Sequence, residues 1–174
     1  MRYSGFVTEL VLIAHNLRSS HNVGSLLRTA EGLGVGKVWL TGYSPYPLSP
    51  SDKRLPHLAR RTDTQITKTA LSAEKLVPWE HAGDIQPVIE KLRADGFTVA
   101  GLEQTPGSVA LPDYKPPQKL ALIVGRETEG LEPEILALCD LSLEIPMPGR
   151  KESFNVVQAA AMALYHLRFT GPEL

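Results

Sequence analysis

Five consecutive apolar residues, Leu120-Ala121-Leu122-Ile123-Val124, run straight into a glycine, Gly125. A strand with one wet face alternates apolar and polar side chains. An unbroken run of this kind therefore belongs to a strand covered on both faces, as in the middle of a parallel sheet. Such a sheet needs helices above and below it, and the rest of the chain supplies them. Leu10-Val11-Leu12-Ile13-Ala14 reads as a first strand, Val38-Trp39-Leu40 as a second, and Phe97-Thr98-Val99-Ala100-Gly101-Leu102 as another buried one. Between them the apolar spacing is helical: Val23, Leu26, Leu27, Ala30 and Leu33 share a face over 22–33, as do Ile85, Val88, Ile89 and Leu92 over 85–94. Gly34 and Gly36 close the first of these helices. The expectation is an α/β fold, a mostly parallel sheet flanked by helices, in a single domain over residues 1–174.

Other stretches are less regular. Residues 43–60 carry Pro45, Pro47, Pro50 and Pro56, which reads as a loop with one short helix. Ser49 or Ser51 would cap that helix ahead of Leu55, Leu58 and Ala59. Residues 104–119, rich in proline and polar groups, read as an exposed connection. Pro133 suits the first turn of a short helix running to about Cys139. Leu141-Ser142-Leu143-Glu144-Ile145 alternates like a strand and stops at Pro146. A final helix is expected over 153–168, where Ala159, Ala160, Ala161 and Ala163 permit close packing.

Composition narrows the function classes. With 43% hydrophobic and 21% charged residues, the chain is of ordinary globular type. It has no apolar run long enough to cross a bilayer, so no membrane partner is expected. The start, Met1-Arg2-Tyr3-Ser4-Gly5, lacks the apolar stretch of a signal peptide, and a cytoplasmic protein is the expectation. One cysteine, Cys139, and five histidines without ligand spacing predict no metal. A net charge of −1 argues against a strong overall grip on nucleic acid, although a local patch can still be basic. Arg18, Arg28, Lys53, Arg54, Arg60, Arg61, Arg150 and Lys151 are the candidates for such a patch. Any single pair reads better as solvated surface charge.

Three polar segments follow expected strands, at the edge where a parallel sheet places its ligands. In the first, Asn22 opens a helix and Arg28 interrupts its apolar face about a turn and a half later. Asn22 reads as a helix cap, and Arg28 as a rigid fork of donors suited to phosphate or carboxylate. The second is Gly125-Arg126-Glu127-Thr128-Glu129-Gly130, where Glu127 reads either as a carboxylate orienting Arg28 or as plain surface charge. The third runs from Ile145-Pro146-Met147-Pro148-Gly149 to Ser153-Phe154-Asn155. Ser153 and Asn155 suit helix capping, and with Arg150 and Lys151 they also make an anion-binding surface. No Gly-x-Gly-x-x-Gly element or Walker loop is present, against the usual dinucleotide and nucleotide folds.

Taken together, the three segments resemble the three motifs of the SpoU branch of the SPOUT methyltransferases, also called the TrmH family. Asn22-Val23-Gly24-Ser25-Leu26-Leu27-Arg28 is similar to the first motif, and Val124-Gly125-Arg126-Glu127-Thr128-Glu129-Gly130-Leu131 to the second. Ile145-Pro146-Met147 through Ser153-Phe154-Asn155-Val156 is similar to the third. Two positions depart from the pattern: Arg126 stands where the family often has Asn, and Phe154 where it usually has Leu.

The resemblance implies a C-terminal trefoil knot, an exception to the rule that chains avoid knots. It implies S-adenosyl-L-methionine held by Gly101, Leu102, Gly125, Ile145, Met147 and Phe154. It implies a homodimer, and RNA, tRNA or rRNA, methylated on a ribose 2′-hydroxyl. Arg28 would activate that hydroxyl, Asn22 and Glu127 would position Arg28, and Ser153 and Asn155 would hold phosphate or ribose. Competing readings are a SPOUT base methyltransferase, a catalytically silent RNA-binding protein, and a nucleotide-binding α/β protein unrelated to RNA.

Overall fold

The computed structural model describes residues 8–171, so the expectation about a leader at Met1-Arg2-Tyr3-Ser4-Gly5 lies outside them. The chain forms β1 (Glu9–His15), α1 (Ser20–Gly32), β2 (Lys37–Thr41), α2 (Pro56–Ala70), β3 (Trp79–Ala82), α3 (Gln86–Ala94) and β4 (Thr98–Leu102). It continues with β5 (Val109–Ala110), β6 (Lys119–Val124), α4 (Pro133–Leu136), β7 (Leu141–Glu144) and α5 (Val156–Phe169). The strands build one sheet in the order β3-β2-β1-β6-β4-β7-β5, and every neighbouring pair is parallel.

The two unbroken apolar runs become the two adjacent inner strands, β1 and β6, with Ile13 opposite Ile123. Alternate residues serve opposite faces. Leu10, Leu12, Leu120 and Leu122 join one core with α1 residues Val23, Leu26 and Leu27 and α5 residues Ala160, Leu164 and Leu167. Val11, Ile13, Ala121 and Ile123 join a second core with Val88, Ile89 and Leu92 of α3. Double coverage is thus why these strands carry no polar residue between their ends. Gly24 lets α1 approach α2 closely, since a Cβ there would strike the Ile66 carbonyl oxygen and Thr69 Oγ1.

Several expectations need correcting. The short helix expected near residue 55 is the 15-residue α2, and neither Ser49 nor Ser51 caps it. Leu55 is its N-cap and Pro56 fills the first turn, where its missing N–H costs nothing. Only Ala59, Ile66 and Ala70 of α2 are buried, too sparse a pattern to announce the helix. β3 is an edge strand whose polar Glu80 and His81 hide it in the sequence. Within 104–119 the chain is not simply exposed: β5 pairs with β7, and Leu111 is buried. The last helix begins at Val156, leaving Ser153 and Phe154 in the preceding loop and Asn155 as its cap.

Candidate active site

The carboxyl ends of β6, β4 and β7, three neighbours in the sheet, open into a cavity of about 300 Å³. Parallel sheets bind ligands at this edge because the loops leaving adjacent strands diverge there. Leu102 and Glu103 form one wall after β4, residues 124–130 a second after β6, and Ile145 and Met147 a third after β7. Ser153 and Phe154 close the rim, and Phe154 stays 38% exposed despite its apolar character.

The turn after β6 is a tight closed loop. Arg126 N–H donates to the Gly130 carbonyl at 3.0 Å and Gly130 N–H returns to the Arg126 carbonyl at 3.1 Å. Gly125 makes this possible, because a Cβ would lie 2.5 Å from the Gly130 carbonyl carbon and 2.7 Å from Leu131 N. Gly130 has φ +69°, open to glycine at little cost. Glu103 fastens the same turn to β4 by accepting from Leu131 N–H at 2.9 Å.

Glu127 reaches out of that turn to the start of α1. Its Oε1 accepts from Ser19 N–H and from Asn22 Nδ2, both at 3.1 Å, and Oε2 from Arg18 N–H at 3.2 Å. Burial acts to raise its pKa, but its own backbone N–H, Arg18, Asn22 and Ser19 together outweigh burial and leave it lowered. A carboxylate at a helix N-terminus is also favoured by the helix dipole. Ser19, whose Oγ accepts from Asn22 N–H at 3.2 Å, is the true N-cap of α1, so Asn22 is not.

A second polar network lies beside the first. Arg126 Nη2 is 3.1 Å from Glu132 Oε1, which also accepts from Asn16 Nδ2 at 3.0 Å. Asn16 sits at φ 55°, and its Oδ1 accepts from Tyr43 N–H. His15, buried behind Asn16, contacts Thr41 Oγ1 through Nδ1 at 2.9 Å. Burial lowers the His15 pKa against the opposing pull of Glu132, which favours the neutral ring.

The expected site residues divide. Leu102, Gly125, Ile145, Met147, Phe154, Glu127 and Ser153 meet in the cavity wall. Gly101 does not, because it faces Leu131, Leu136 and Cys139 on the other side of β4. Asn22 is tied to the wall through Glu127, and Asn155 caps α5 by accepting from Val157 N–H at 2.9 Å. Arg28 stands apart from these. It lies exposed on α1, outside the cavity wall, and makes no ion pair among the described residues. Six helical residues turn it about 120° away from Asn22, so the carboxylate that holds Asn22 cannot also hold Arg28.

Of the basic candidates, Arg18, Lys53, Arg60, Arg61, Arg150 and Lys151 are exposed. Arg54 differs from these, since its guanidinium is committed internally. It stacks 3.6 Å from the Tyr46 ring, pairs with Asp52, and donates to the Tyr46 and Pro47 carbonyls. Glu103, Glu129, Glu132 and Asn16 belong to the site without having been singled out by sequence. The signal that finds them is position: each lies within a few residues of a strand's carboxyl end or in the loop leaving it. Among the described residues no group of three or more His, Cys, Asp or Glu is arranged to hold a metal, and no helix is long and apolar enough to cross a membrane.

Comparison with known proteins agrees with the geometry. The model of the SpoU rRNA methylase family matches residues 9–165. A Staphylococcus aureus protein named for the TrmH family of tRNA/rRNA methyltransferases is 30% identical over 157 residues, covering 90% of this chain and 57% of that protein. The tRNA (guanosine(18)-2′-O)-methyltransferase of Mus musculus is 27% identical over 161 residues, 91% of this chain but 9% of its own length. The chain thus spans little more than half of the first relative and a small part of the second. The AdoMet-bound rRNA methyltransferase of Sinorhizobium meliloti shares the fold with a TM-score of 0.77 at 21% identity, over 97% of this chain and 58% of that one. A structure described in terms of 2-OH methylation of C/U34 on tRNA shares it at TM-score 0.72 and 24% identity, over 92% and 94% of the two chains.

Proposed function

Because the chain belongs to the SpoU rRNA methylase family, we propose that it transfers a methyl group from S-adenosylmethionine to a ribose 2′-hydroxyl of tRNA or rRNA. The observation that carries this reading is the cavity at the ends of β6, β4 and β7, walled by five of the six residues expected to hold the cofactor. Its volume of about 300 Å³ is of nucleoside size, and its apolar groups Leu102, Ile145, Met147 and Phe154 suit an adenine ring. Glu103 and Glu144, the wall carboxylates not paired with Arg126 or tied to α1, add negative charge suited to a sulfonium cation. S-adenosylmethionine supplies an electrophilic methyl group; the rest of the work falls to the chain.

A ribose hydroxyl is a weak nucleophile near neutral pH, so the site must stabilise the charge that develops on its oxygen. Arg28 does this by donating hydrogen bonds toward that oxygen, and the proton passes to solvent. A guanidinium is a poor proton acceptor, since its pKa lies above about 12. Glu127 fixes the α1 N-terminus and Asn22, and so sets the approach of the helix that carries Arg28. Ser153 and the free Nδ2 of Asn155 hold the phosphate or ribose, and orientation supplies much of the rate gain. Arg150, Lys151, Lys53, Arg60 and Arg61 add electrostatic attraction for RNA.

Arg28 and the cavity lie apart within one chain, so this reading requires a second copy to complete the cleft. An apolar stripe supports a homodimer: Met162 and Tyr165, about a turn apart on α5, are 37% and 62% exposed. The placement of β7 between β4 and β5, both earlier in the chain, is compatible with the implied trefoil knot. Arg28→Ala should abolish methyl transfer while S-adenosylmethionine still binds by calorimetry. Full activity in that variant would reject the role given to Arg28.

A further inference from the structure

We propose that Arg18 and Arg126 form a fork for one RNA phosphodiester, and that Glu129 occupies the fork until RNA displaces it. This inference rests on the RNA methyltransferase reading and names a phosphate subsite within it. The Glu129 Oε2 atom lies between two guanidinium groups, 3.4 Å from Arg18 Nη2 and 3.1 Å from Arg126 Nη1. The two arginines leave neighbouring strands, β1 and β6, at the same edge of the sheet. They therefore present two cations side by side at the rim of the cavity, whose wall includes Arg126 and Glu129.

The members of this cluster are held unequally. Arg126 is fixed from behind by Glu132, itself held by Asn16, and its side chain is 25% exposed. Arg18 and Glu129 are far more open, at 62% and 47%, and their contacts of 3.4 and 3.5 Å are long. Exposed pairs of this kind contribute only about 0–1 kcal/mol, so a competing anion can replace the carboxylate. A phosphodiester offers two non-bridging oxygens in place of the two carboxylate oxygens, and a guanidinium fork donates equally well to either pair. Glu127 does not compete, because both its oxygens are spent on the α1 N-terminus.

The test measures binding of a mixed tRNA fraction to the full chain at low salt, with melting temperatures recorded alongside. Glu129→Gln should tighten binding about threefold to fivefold, the gain from removing a competing exposed pair. Glu90→Gln, the same charge change on α3, serves as the reference and should tighten it by less than about twofold. Adding Arg18→Gln or Arg126→Ala to Glu129→Gln should cancel the gain. Arg18→Gln alone, at an exposed position safe for folding, should weaken binding and flatten the dependence of log K on log salt by about 0.7–0.9. An Arg18→Gln variant with unaltered binding, or a Glu129→Gln gain no larger than that of Glu90→Gln, overturns the fork while leaving the methyltransferase reading intact. A wild-type chain that binds no RNA overturns both.

Discussion

Replacing Glu127 by glutamine tests how the second loop is joined to the first helix. The carboxylate accepts three N–H donors, two on Oε1 and one on Oε2. Glutamine offers one oxygen, so it can keep the Ser19 and Asn22 contacts only by turning its NH₂ toward Arg18 N–H. Hydrogen bonds to a charged group contribute about 1.5–3 kcal/mol each when well shielded. Two of these are half-buried and the Arg18 contact is exposed, so a discounted loss of roughly 1–2 kcal/mol is expected. For a domain of this size that lowers Tm by about 2–8 °C, measured by circular dichroism or calorimetry. The pH dependence has a definite sign. Because the native pKa of Glu127 is lowered, its stabilisation is fully present above the unfolded value of about 4.3 and is lost as pH falls through the native value. Glu127→Gln should therefore destabilise at pH 7 and approach wild type in acid. A variant with wild-type Tm at pH 7, or one whose deficit persists undiminished in acid, would refute the reasoning.

Gly125→Ala should abolish S-adenosylmethionine binding in calorimetry, because its Cβ would collide with the backbone of Gly130 and Leu131 and unfold the turn that walls the cavity. Gly24→Ala should lower stability to urea by about 1–3 kcal/mol through overpacking at the α1–α2 contact, and wild-type stability would contradict that close approach. On the proposed homodimer, Tyr165→Glu combined with Met162→Glu should leave monomers in light scattering, with Tm measured alongside; a monomeric wild type or a variant that stays dimeric would reject this interface.

The buried half of the fold is legible in the sequence because burial on two faces leaves a strong mark. Leu10 to Ala14 and Leu120 to Val124 announce the inner strands without reference to anything else. α2 and β3 are not legible in this way, since α2 buries three residues in fifteen and β3 is a half-exposed edge. Their positions are set by partners, Ile66 packing into the core of α1 and Trp79 pairing opposite Val38. In the site, glycines, carboxylates and post-strand loops are visible as types, whereas pairings are not. Glu127 reads as the holder of an arginine, but helix phase gives it the α1 N-terminus and Asn22 instead. Gly101 shows the same limit, because the strand's alternation turns it toward Cys139 while its neighbour Leu102 faces the cavity.

The cavity after β6, β4 and β7 is proposed to serve methyl transfer to ribose. Incubating the purified chain with methyl-labelled S-adenosylmethionine and RNA from cells lacking the protein, then analysing nucleosides, tests it most directly. The label should appear in a 2′-O-methylated nucleoside and disappear with Arg28→Ala. Label found on a base with every ribose unmodified, or no transfer by a chain that binds both molecules, would contradict the claim.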